Sequence, residues 1–567
     1  RRPGRAPGRA SPKTPGSKAR RRSPVGSETG PGRGAQWSAG RVGFAGGVAA
    51  MRQVYAVKGA QNAGWRSMSA PPEQPKQATG AAADARAEFA AFCAATQAKD
   101  TLHAFQALQT RVGGDVVGKL PFQVMHSKLE GVWKAHQLFD LLQQRASRPE
   151  YRQGGLLRGK SVLVVGAGPV GLRSALELAF CGAAVTVVEK REEAFTRVNK
   201  LKLWSLAKDD LVLLGAKILF SSAFGADPDI CHIGIGQLQV MLFKVALMLK
   251  VKILFGYEAS GCQAENSDWQ CVLSKKATAQ AASENFAVKV DAVVASDGHG
   301  GPFAKKVAGI ARVPHKSSAA IGLVANFVNG KTTQERNLRQ CSWARQFNEP
   351  LFNQLQQHCG AELENAVYYR GEDLHYFVST PKRSCLEACG IFKDSSLPAE
   401  EVLRASNINQ DKLYSFAANI AVFFGLSVDV ENPTTSASSP ILAAHTALFD
   451  FSTTNRCAEP MAFVPDLIAG KDLPVVLVGD ALMEPFWPEG LGIVRGFLSA
   501  VDAVNALVTW NANPVEARET ACASLARSYT LLKGLSEKTQ FSILARRQPG
   551  SGAPPIPLDP KVRYVAF

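Results

Sequence analysis

The stretch Ser161-Val-Leu-Val-Val-Gly-Ala-Gly-Pro-Val-Gly-Leu172 decides the fold of this 567-residue chain. Its first five residues suit a buried parallel strand, and they lead directly into the glycine turn Gly166-Ala-Gly-Pro-Val-Gly171. A helix-compatible run continues from the turn to Phe180. In this order of strand, turn and helix, a phosphate is bound at the N-terminus of the helix. The stretch therefore predicts a nucleotide-binding turn.

The three glycines of this turn have separate predicted roles. Gly166 permits the tight turn, Gly168 lets backbone N–H groups approach a pyrophosphate, and Gly171 lets the helix lie close to the strand. A second strand, Ala184–Val188, ends on Glu189. A carboxylate at that place can accept both hydroxyl hydrogens of an adenosine ribose. Because strand, helix, strand and acid follow one another in register, the sequence predicts a dinucleotide site.

Two later strand ends favour FAD over NAD as the dinucleotide. An apolar run that begins at Val290 ends on Asp297-Gly298, and another that begins at Leu473 ends on Gly479-Asp480. The chain has one complete G-x-G-x-x-G, whereas a reductase with separate flavin and nicotinamide folds would show two. One glycine fingerprint, an Asp-Gly strand end and a distant Gly-Asp strand end occur in this order in single-component flavoprotein hydroxylases.

Composition indicates a globular protein, with 46% hydrophobic and 20% charged residues. The 11 cysteines form no C-x-x-C pair, and the closest two are Cys385 and Cys389. This spacing argues against a zinc module or a dithiol centre, and we expect no metal site. We expect small buried thiols in a reducing, cytoplasmic compartment. The sequence has no apolar run approaching 18 residues, so we expect no membrane span.

The net charge of +17 is concentrated near the start of the chain. Residues 1–50 carry +10, and residues 51–567 carry only +7. We expect residues 1–86 to be a basic low-complexity leader that is disordered or non-native, because it offers little apolar surface to bury. Anion or nucleic-acid binding and a transit peptide are the alternatives for the leader. For the rest of the chain we expect no nucleic-acid partner.

The remaining sequence is predicted to form three parts. Residues 87–311 are expected to form an FAD-binding subdomain with N-terminal helices, since Phe89, Phe92 and later apolar residues recur at helical spacing. Residues 312–470 mix short β-prone pieces with helical stretches, which predicts an inserted, substrate-facing α+β subdomain. Residues 471–567 are expected to return to the FAD-binding subdomain and end in helices.

From about Phe89 to Tyr564, the chain resembles the monooxygenase domain of the MICAL family. The glycine turn and the run Glu484-Pro-Phe-Trp-Pro488 beside Gly479-Asp480 are the most specific features, because that run is unusual among flavin hydroxylases. Other matching pieces are Glu189-Lys-Arg191, Arg197-Val-Asn199, Gln237-Leu-Gln239, Lys244-Val-Ala-Leu247, Tyr368-Tyr369, His375-Tyr-Phe-Val378, Gly496-Phe-Leu498 and Asp559-Pro-Lys-Val-Arg-Tyr564.

The resemblance implies an α/β fold of the FAD-binding, p-hydroxybenzoate hydroxylase-like type with the inserted subdomain. It places Asn199, Tyr376 and Trp487 at the catalytic flavin region. As alternatives, Tyr376 and Trp487 are plain core aromatics, and Arg191 is a solvated surface charge. The FAD contacts that the resemblance implies are Gly166, Gly168, Val170, Gly171, Glu189, Arg191, Arg197, Asn199, Ala259, Tyr376 and Asp480.

The same resemblance implies the reaction. FAD would be reduced by NADPH, and one oxygen atom from O₂ would be transferred to methionine sulfur of actin filaments, which promotes their disassembly. Gly236 and His299 stand where the family has arginines, which leaves the preference for NADPH over NADH open. The alternatives are a small-molecule flavin hydroxylase, an NAD(P)H oxidase that releases hydrogen peroxide, and an FAD-binding scaffold without turnover.

Overall fold

The structure is a computed structural model that describes residues 80–197, 199–220, 231–265, 268–275, 284–316, 320–345, 348–465, 471–486, 490–514 and 516–535. The predicted basic leader lies outside the described residues up to residue 79, and so does Trp487. The predictions made for them stay predictions.

The described residues form eighteen strands and sixteen α-helices. The strands are β1 Ser161–Val165, β2 Ala184–Glu189, β3 Lys200–Lys202, β4 His232–Gly234, β5 Lys252–Phe255, β6 Glu258–Glu265, β7 Asp268–Lys275, β8 Glu284–Val290, β9 Ala292–Ala295, β10 Arg312–Lys316, β11 Ile321–Val328, β12 Cys341–Ala344, β13 Leu363–Arg370, β14 Leu374–Pro381, β15 Ala447–Asp450, β16 Thr453–Cys457, β17 Met461–Val464 and β18 Leu473–Leu477. The helices are α1 Gly80–Ala94, α2 Ala98–Val112, α3 Pro121–Lys128, α4 Trp133–Ala146, α5 Pro169–Phe180, α6 Ser205–Leu213, α7 Ala216–Leu219, α8 Ile235–Met248, α9 Pro302–Ala308, α10 Thr333–Asn337, α11 Glu349–Cys359, α12 Arg383–Ala388, α13 Ala399–Val402, α14 Gln410–Phe423, α15 Gly492–Ala512 and α16 Ala517–Gly534.

A six-stranded sheet forms the nucleotide fold, in the order β17-β18-β9-β1-β2-β5. Only its edge strand β17 is antiparallel to its neighbour, and the other pairs are parallel. Residues 162–165 of the central strand β1 are buried, as expected for a parallel strand covered on both faces. The predicted α/β class is confirmed.

The strand, helix and strand predicted around the glycine turn are β1, α5 and β2. The strands before Asp297 and Gly479 are β9 and β18, and they lie in the same sheet as β1 and β2. Because the four strands are parallel, their carboxyl ends meet at one edge. The predicted strand from Val290 is shorter than expected: β9 begins at Ala292, because Val290 ends β8 in a different sheet.

Helix α5 is held by a buried ionic network. The Glu177 carboxylate accepts hydrogen bonds from Arg173 at 2.8 Å, Arg145 at 3.1 Å and the Tyr151 hydroxyl at 2.8 Å. Both arginines also pair with Asp210 of α6. Burial alone would raise the pKa of Glu177, but the two guanidinium groups outweigh it and lower the pKa. The network ties the helix that begins at the glycine turn to its neighbours.

The long helix α15 lies in the core. Among the described residues, it is the helix whose length and hydropathy would suit a membrane span, and 89% of its apolar window is buried inside the protein. It packs against α5 and α16. Such burial is typical of a core helix.

A five-stranded sheet lies within the predicted substrate-facing part, in the order β12-β13-β14-β11-β15. All its pairs are antiparallel. Helices α11 and α14 contribute Phe352, Leu355 and Phe416 to a hydrophobic cluster that also contains Phe327 and Tyr368 of this sheet. This cluster is separate from the one around the six-stranded sheet. The subdomain boundaries given above stay predictions.

A three-stranded antiparallel sheet, β6-β7-β8, follows β5. Cys262 of β6 and Cys271 of β7 are paired residues in it, and their sulfur atoms form a disulfide. These two cysteines are therefore exceptions to the expectation of small buried thiols. Their pairing follows from the register of the two strands, which the spacing of cysteines along the sequence does not reveal.

Candidate cofactor site

The glycine turn leaves an open space at the start of α5. Gly166 has φ = +105°, and a Cβ built on it would lie 2.4 Å from the Ser296 carbonyl oxygen. A Cβ on Gly171 would lie 2.1 Å from the Gly166 carbonyl oxygen. Gly168 differs, because no heavy atom lies within 4 Å of the position its Cβ would take. Two glycines are required by packing, and the third faces space that the protein itself does not fill.

Val170 connects this turn to the loop after β18. Its side chain lies 3.2 Å from the position of a Cβ on Gly479 and 2.4 Å from that of a Cβ on Gly496. Neither position has room for a larger residue while Val170 keeps its place. The contact brings the N-terminus of α5 next to the segment that carries Asp480.

Glu189 ends β2 and is buried, with 3% of its surface exposed. Its carboxylate accepts hydrogen bonds from the backbone N–H of Ala167 at 3.2 Å and of Arg191 at 3.1 Å. The Arg191 guanidinium donates to the same carboxylate at 2.9 Å. Arg191 is therefore paired with Glu189 while 40% of its side chain stays exposed, so its cofactor role and the surface-charge alternative both stay predictions.

Asp480 and Arg197 lie close enough to interact electrostatically. Desolvation raises the pKa of the Asp480 carboxyl, repulsion from Glu484 adds to the rise, and attraction to Arg197 opposes it. Both residues reach the surface, and the protein atoms around the Asp480 carboxyl still displace part of its water. Asp480 follows β18 and Glu189 ends β2, so the two carboxylates lie at the same edge of the sheet, as a shared cofactor requires.

Glu484 organises the loops around Asp480, a role that sequence reasoning missed. One of its carboxylate oxygens accepts from Arg312 at 2.7 Å and pairs with His299 at 2.9 Å. The other accepts from the backbone N–H of Asn455 at 2.8 Å and from its side-chain amide at 3.1 Å. In the sequence, only its place in the run Glu484-Pro-Phe points to Glu484. The partners come from three distant parts of the chain.

Tyr376 lies where the five-stranded sheet contacts the nucleotide fold. Burial strongly raises the pKa of Tyr376, and the Asn199 side chain, which lies close to the Tyr376 hydroxyl, opposes the rise. The ring lies parallel to that of Tyr369 at 6.4 Å, and the Tyr369 ring stacks on His232 at 4.5 Å. Tyr376 is thus buried, as its core alternative expects, and it also contacts a residue predicted for the flavin region. Asn199 is exposed.

Two buried oxygen atoms near the strand ends have no hydrogen-bond partner among the described residues. One is Asp297 Oδ1, whose companion oxygen accepts from the Phe303 backbone N–H at 2.9 Å. The other is Gln239 Oε1, whose amide donates to the Ala167 carbonyl at 2.9 Å. Burial raises the pKa of Asp297. Buried polar atoms are nearly always satisfied, so these two fit a site that binds a polar group.

Ala259 and Trp487 stand apart from these contacts. Ala259 is buried in β6, opposite Leu273 of β7, and its backbone is the part predicted to face adenine. Trp487 lies outside the described residues, so its predicted place beside the flavin stays a prediction. Of its neighbours, Pro485 and Phe486 are half-buried.

The packing around position 236 explains why this chain has glycine there, where the family has an arginine. A Cβ on Gly236 would lie 2.4 Å from the Phe195 carbonyl oxygen. The backbone N–H groups of Ile235 and Gly236 donate to the carbonyls of Asn199 and Arg197, at 2.9 and 3.3 Å. Phe195, Arg197 and Asn199 therefore lie directly on the N-terminus of α8, and this packing requires glycine at position 236.

The residues at this edge fit FAD. The open space at Gly168 suits a pyrophosphate at a helix N-terminus, where first-turn N–H groups lack intrahelical partners. Glu189 stands at the strand end where a ribose is bound, and Asp480 stands beside the same turn. Within the described ranges, no three His, Cys, Asp or Glu side chains form a group that could hold a metal ion.

Comparison with protein families gives two matches. The family model described as "FAD binding domain" matches residues 160–200, which hold β1, α5, β2 and the segment up to β3. The model described as "Mical, Rossman domain" matches residues 319–436, which hold most of the five-stranded sheet and its helices. The first match agrees with the FAD assignment for the glycine turn.

Comparison with solved structures gives more distant likenesses. The flavin-dependent halogenase CmlS has a TM-score of 0.43 at 15% identity, covering 66% of this chain and 62% of that one. CabE, an aromatic hydroxylase from angucycline biosynthesis, has a TM-score of 0.42 at 16% identity, covering 67% of this chain and 68% of that one.

Curated relatives match most of the chain. The [F-actin]-monooxygenase MICAL1 of Bos taurus is 37% identical over 489 residues, which is 85% of this chain and 43% of the relative. The human MICAL1 is 36% identical over 486 residues, with the same two coverages. The protein-methionine sulfoxide oxidase mical3b of Danio rerio is 37% identical over 426 residues, 74% of this chain and 25% of the relative. The chain thus spans less than half the length of these relatives. Over most of its length, the chain is therefore similar to monooxygenases of the MICAL family, and its residues 319–436 match the Mical family model.

Proposed function

We propose that this chain is an FAD-dependent monooxygenase that consumes NADPH and O₂, oxidises methionine sulfur of actin filaments and promotes their disassembly. The contact between Tyr376 and Asn199 is the observation that carries the proposal. It joins the five-stranded sheet to the nucleotide fold next to Arg197, and Arg197 interacts with Asp480. An aromatic face and a cofactor edge thereby border one another. The names of the curated relatives supply the substrate.

In this proposal, the described residues hold FAD along the edge of the sheet. The N-terminus of α5 binds the pyrophosphate over Gly168, and Glu189 accepts the ribose hydroxyl hydrogens. Asp480 accepts hydrogen bonds from the middle of the cofactor. Arg191 and Arg197 provide positive charge beside the phosphates, to which a guanidinium group binds in a forked geometry. The Ala259 backbone borders the adenine.

The bound FAD supplies the redox chemistry, by accepting a hydride from the nicotinamide and activating O₂. The protein positions the groups and excludes water. Tyr376 and Tyr369, with 4% of their surfaces exposed, offer an apolar aromatic wall, and the Asn199 side chain lies close to the Tyr376 hydroxyl. A thioether sulfur is a good nucleophile without a base, so the reaction needs no protein group to deprotonate the substrate.

The substrate side is proposed to receive a methionine from a protein surface. Trp487 would contact the thioether, an interaction of roughly 0.3–1.5 kcal/mol. Actin is acidic, and the exposed Arg197 near the cofactor edge gives the opening positive charge. Opposite charges speed encounter, and salt screens them beyond a Debye length of about 8 Å at physiological strength. We propose that the reaction takes place in the cytoplasm.

The proposal is tested by NADPH oxidation with and without filamentous actin. We expect actin to increase NADPH consumption, and we expect sulfoxide to form on actin. Stimulation by a phenolic compound in place of actin would indicate a small-molecule hydroxylase. NADPH consumption that actin does not alter, with peroxide as the product, would indicate an oxidase, and bound FAD without turnover would indicate a scaffold.

A further inference from the structure

The pair Cys262 and Cys271 joins two strands near the predicted adenine end of the cofactor site. The two residues lie directly opposite each other in β6 and β7, and their Cα atoms are 4.1 Å apart. Side chains of opposing residues in an antiparallel pair point to the same face of the sheet. The two sulfur atoms therefore meet without any rearrangement of the backbone. In the described part of the chain the other nine cysteines form no disulfide.

The two sulfurs differ in their access to solvent. Cys271 is fully buried, with 0% of its surface exposed, and lies on the face of β7 that also buries Trp269 and Leu273. Cys262 is half-buried. A small oxidant from solution therefore reaches Cys262 first. Cys271 is shielded from solvent and adjacent to Cys262, which is the arrangement of a resolving thiol.

We propose that Cys262 and Cys271 are a redox modification site, oxidised to the disulfide by hydrogen peroxide and reopened by a dithiol reductant. The Cys262 thiolate attacks one peroxide oxygen, the O–O bond breaks, and a sulfenic acid and hydroxide result. The Cys271 sulfur then attacks the Cys262 sulfur, and the sulfenic oxygen leaves as water. In total, two thiols and one hydrogen peroxide yield one disulfide and two waters. The two sulfurs lose the two electrons that the peroxide gains.

The site is placed to act on the cofactor edge through β6. The strand register shifts between Ala259 and Gly261, where the Ser260 hydroxyl donates to the Val272 carbonyl at 3.1 Å. The bond at Cys262 fixes β6 on β7 immediately beyond this irregularity. Oxidation therefore holds the Ala259 backbone in place, and reduction leaves it held by hydrogen bonds alone. FAD is expected to dissociate more slowly from the oxidised protein than from the reduced protein. This coupling rests on the proposed function, because Ala259 is a predicted cofactor contact.

The test starts from FAD-loaded protein that has been reduced with dithiothreitol and desalted. One sample receives hydrogen peroxide, another receives NADPH in air, and free thiols are then alkylated and mapped by mass spectrometry. We expect both samples to lose alkylation at Cys262 and Cys271 together and to regain it after dithiothreitol. Cys522, also half-buried and a free thiol, is the control and keeps its label. Equal loss of alkylation at Cys262 and Cys522 would contradict the proposal that the pair is a specific oxidation site.

Two variants test the order of the steps. In Cys271→Ser, Cys262 should be trapped as a sulfenic acid that dimedone labels, whereas Cys271 should stay unmodified in Cys262→Ser. Oxidation of Cys271 in Cys262→Ser would contradict the order. If added peroxide oxidises the pair and NADPH does not, Cys262 and Cys271 are still a redox modification site. The peroxide that oxidises them then comes from a source other than this enzyme. Equal FAD release from oxidised and reduced wild-type protein would refute the coupling, and this comparison needs no variant to fold.

Discussion

Replacing Gly168 by valine should remove FAD while leaving the protein folded. The position has φ = −64° and ψ = 168°, an extended conformation that valine adopts, and no heavy atom lies within 4 Å of the new Cβ. The added methyl groups occupy the space in front of the first-turn N–H groups of α5. We expect little change in the free energy of unfolding of the FAD-free protein, about 1 kcal/mol or less for the changed N-cap.

The loss of FAD affinity follows from the contacts that the side chain blocks. Hydrogen bonds to a charged group contribute about 1.5–3 kcal/mol each, so losing two N–H contacts to the pyrophosphate costs about 3–6 kcal/mol. At about 1.4 kcal/mol for each factor of ten, affinity falls about 10²- to 10⁴-fold. The measurements are flavin absorbance after purification, titration of the FAD-free protein with FAD, and urea unfolding.

Two glycines serve as controls for this variant. Gly534 at the end of α16 also has open space, so Gly534→Val should keep FAD. Gly171→Ala should instead destabilise the fold, because its Cβ would lie 2.1 Å from the Gly166 carbonyl oxygen. A Gly168→Val protein that retains stoichiometric FAD with unchanged affinity would refute the prediction that the pyrophosphate binds over Gly168.

Three further predictions concern the buried ionic network, the Glu335 carboxylate of α10 and the substrate opening. Glu177→Gln should lower the free energy of unfolding by about 3–5 kcal/mol, because it leaves Arg145 and Arg173 with one buried carboxylate, and urea unfolding measures the loss. Burial would raise the pKa of Glu335, but hydrogen bonds from Ser439, Thr332 and Gly330 lower it from 4.5 to about 2. The ionised Glu335 carboxylate should thus stabilise the folded protein by about 3 kcal/mol above pH 4.5, and this contribution should disappear as pH falls towards 2. If the unfolding free energy of a Glu335→Gln variant depends on pH as strongly as that of the wild type, this prediction is wrong. Trp487→Ala should keep FAD and lose actin-stimulated NADPH oxidation, and the wild-type stimulation should weaken as salt rises; a salt-independent rate would argue against electrostatic steering.

The centre of the fold could be predicted because its signals are local. The buried strand from Ser161, the glycine turn and Glu189 are contiguous in sequence, and each has a backbone or packing requirement that few residues meet. The strand ends at Asp297 and Gly479 were recognisable for the same reason. Their meeting at one edge follows from the parallel order of the strands.

The contacts that sequence reasoning missed join distant segments. Glu484 meets Arg312 and Asn455, which lie 172 and 29 positions away. Their pairing depends on how the loop after β18 packs on β10 and β16. The Cys262–Cys271 bond depends on the register of β6 and β7, which a one-residue irregularity at Ser260 shifts. Such registers are set by tertiary packing and cannot be read from residue spacing.

In the proposed reaction, one oxygen atom passes from O₂ to methionine sulfur of filamentous actin. The most direct measurement is mass spectrometry of actin after incubation with the FAD-loaded protein, NADPH and ¹⁸O₂ in the presence of catalase, which removes free hydrogen peroxide. We expect ¹⁸O-labelled methionine sulfoxide on actin that depends on both NADPH and the protein. Sulfoxide that disappears with catalase, or that reaches only the level of a peroxide-treated control, would contradict it.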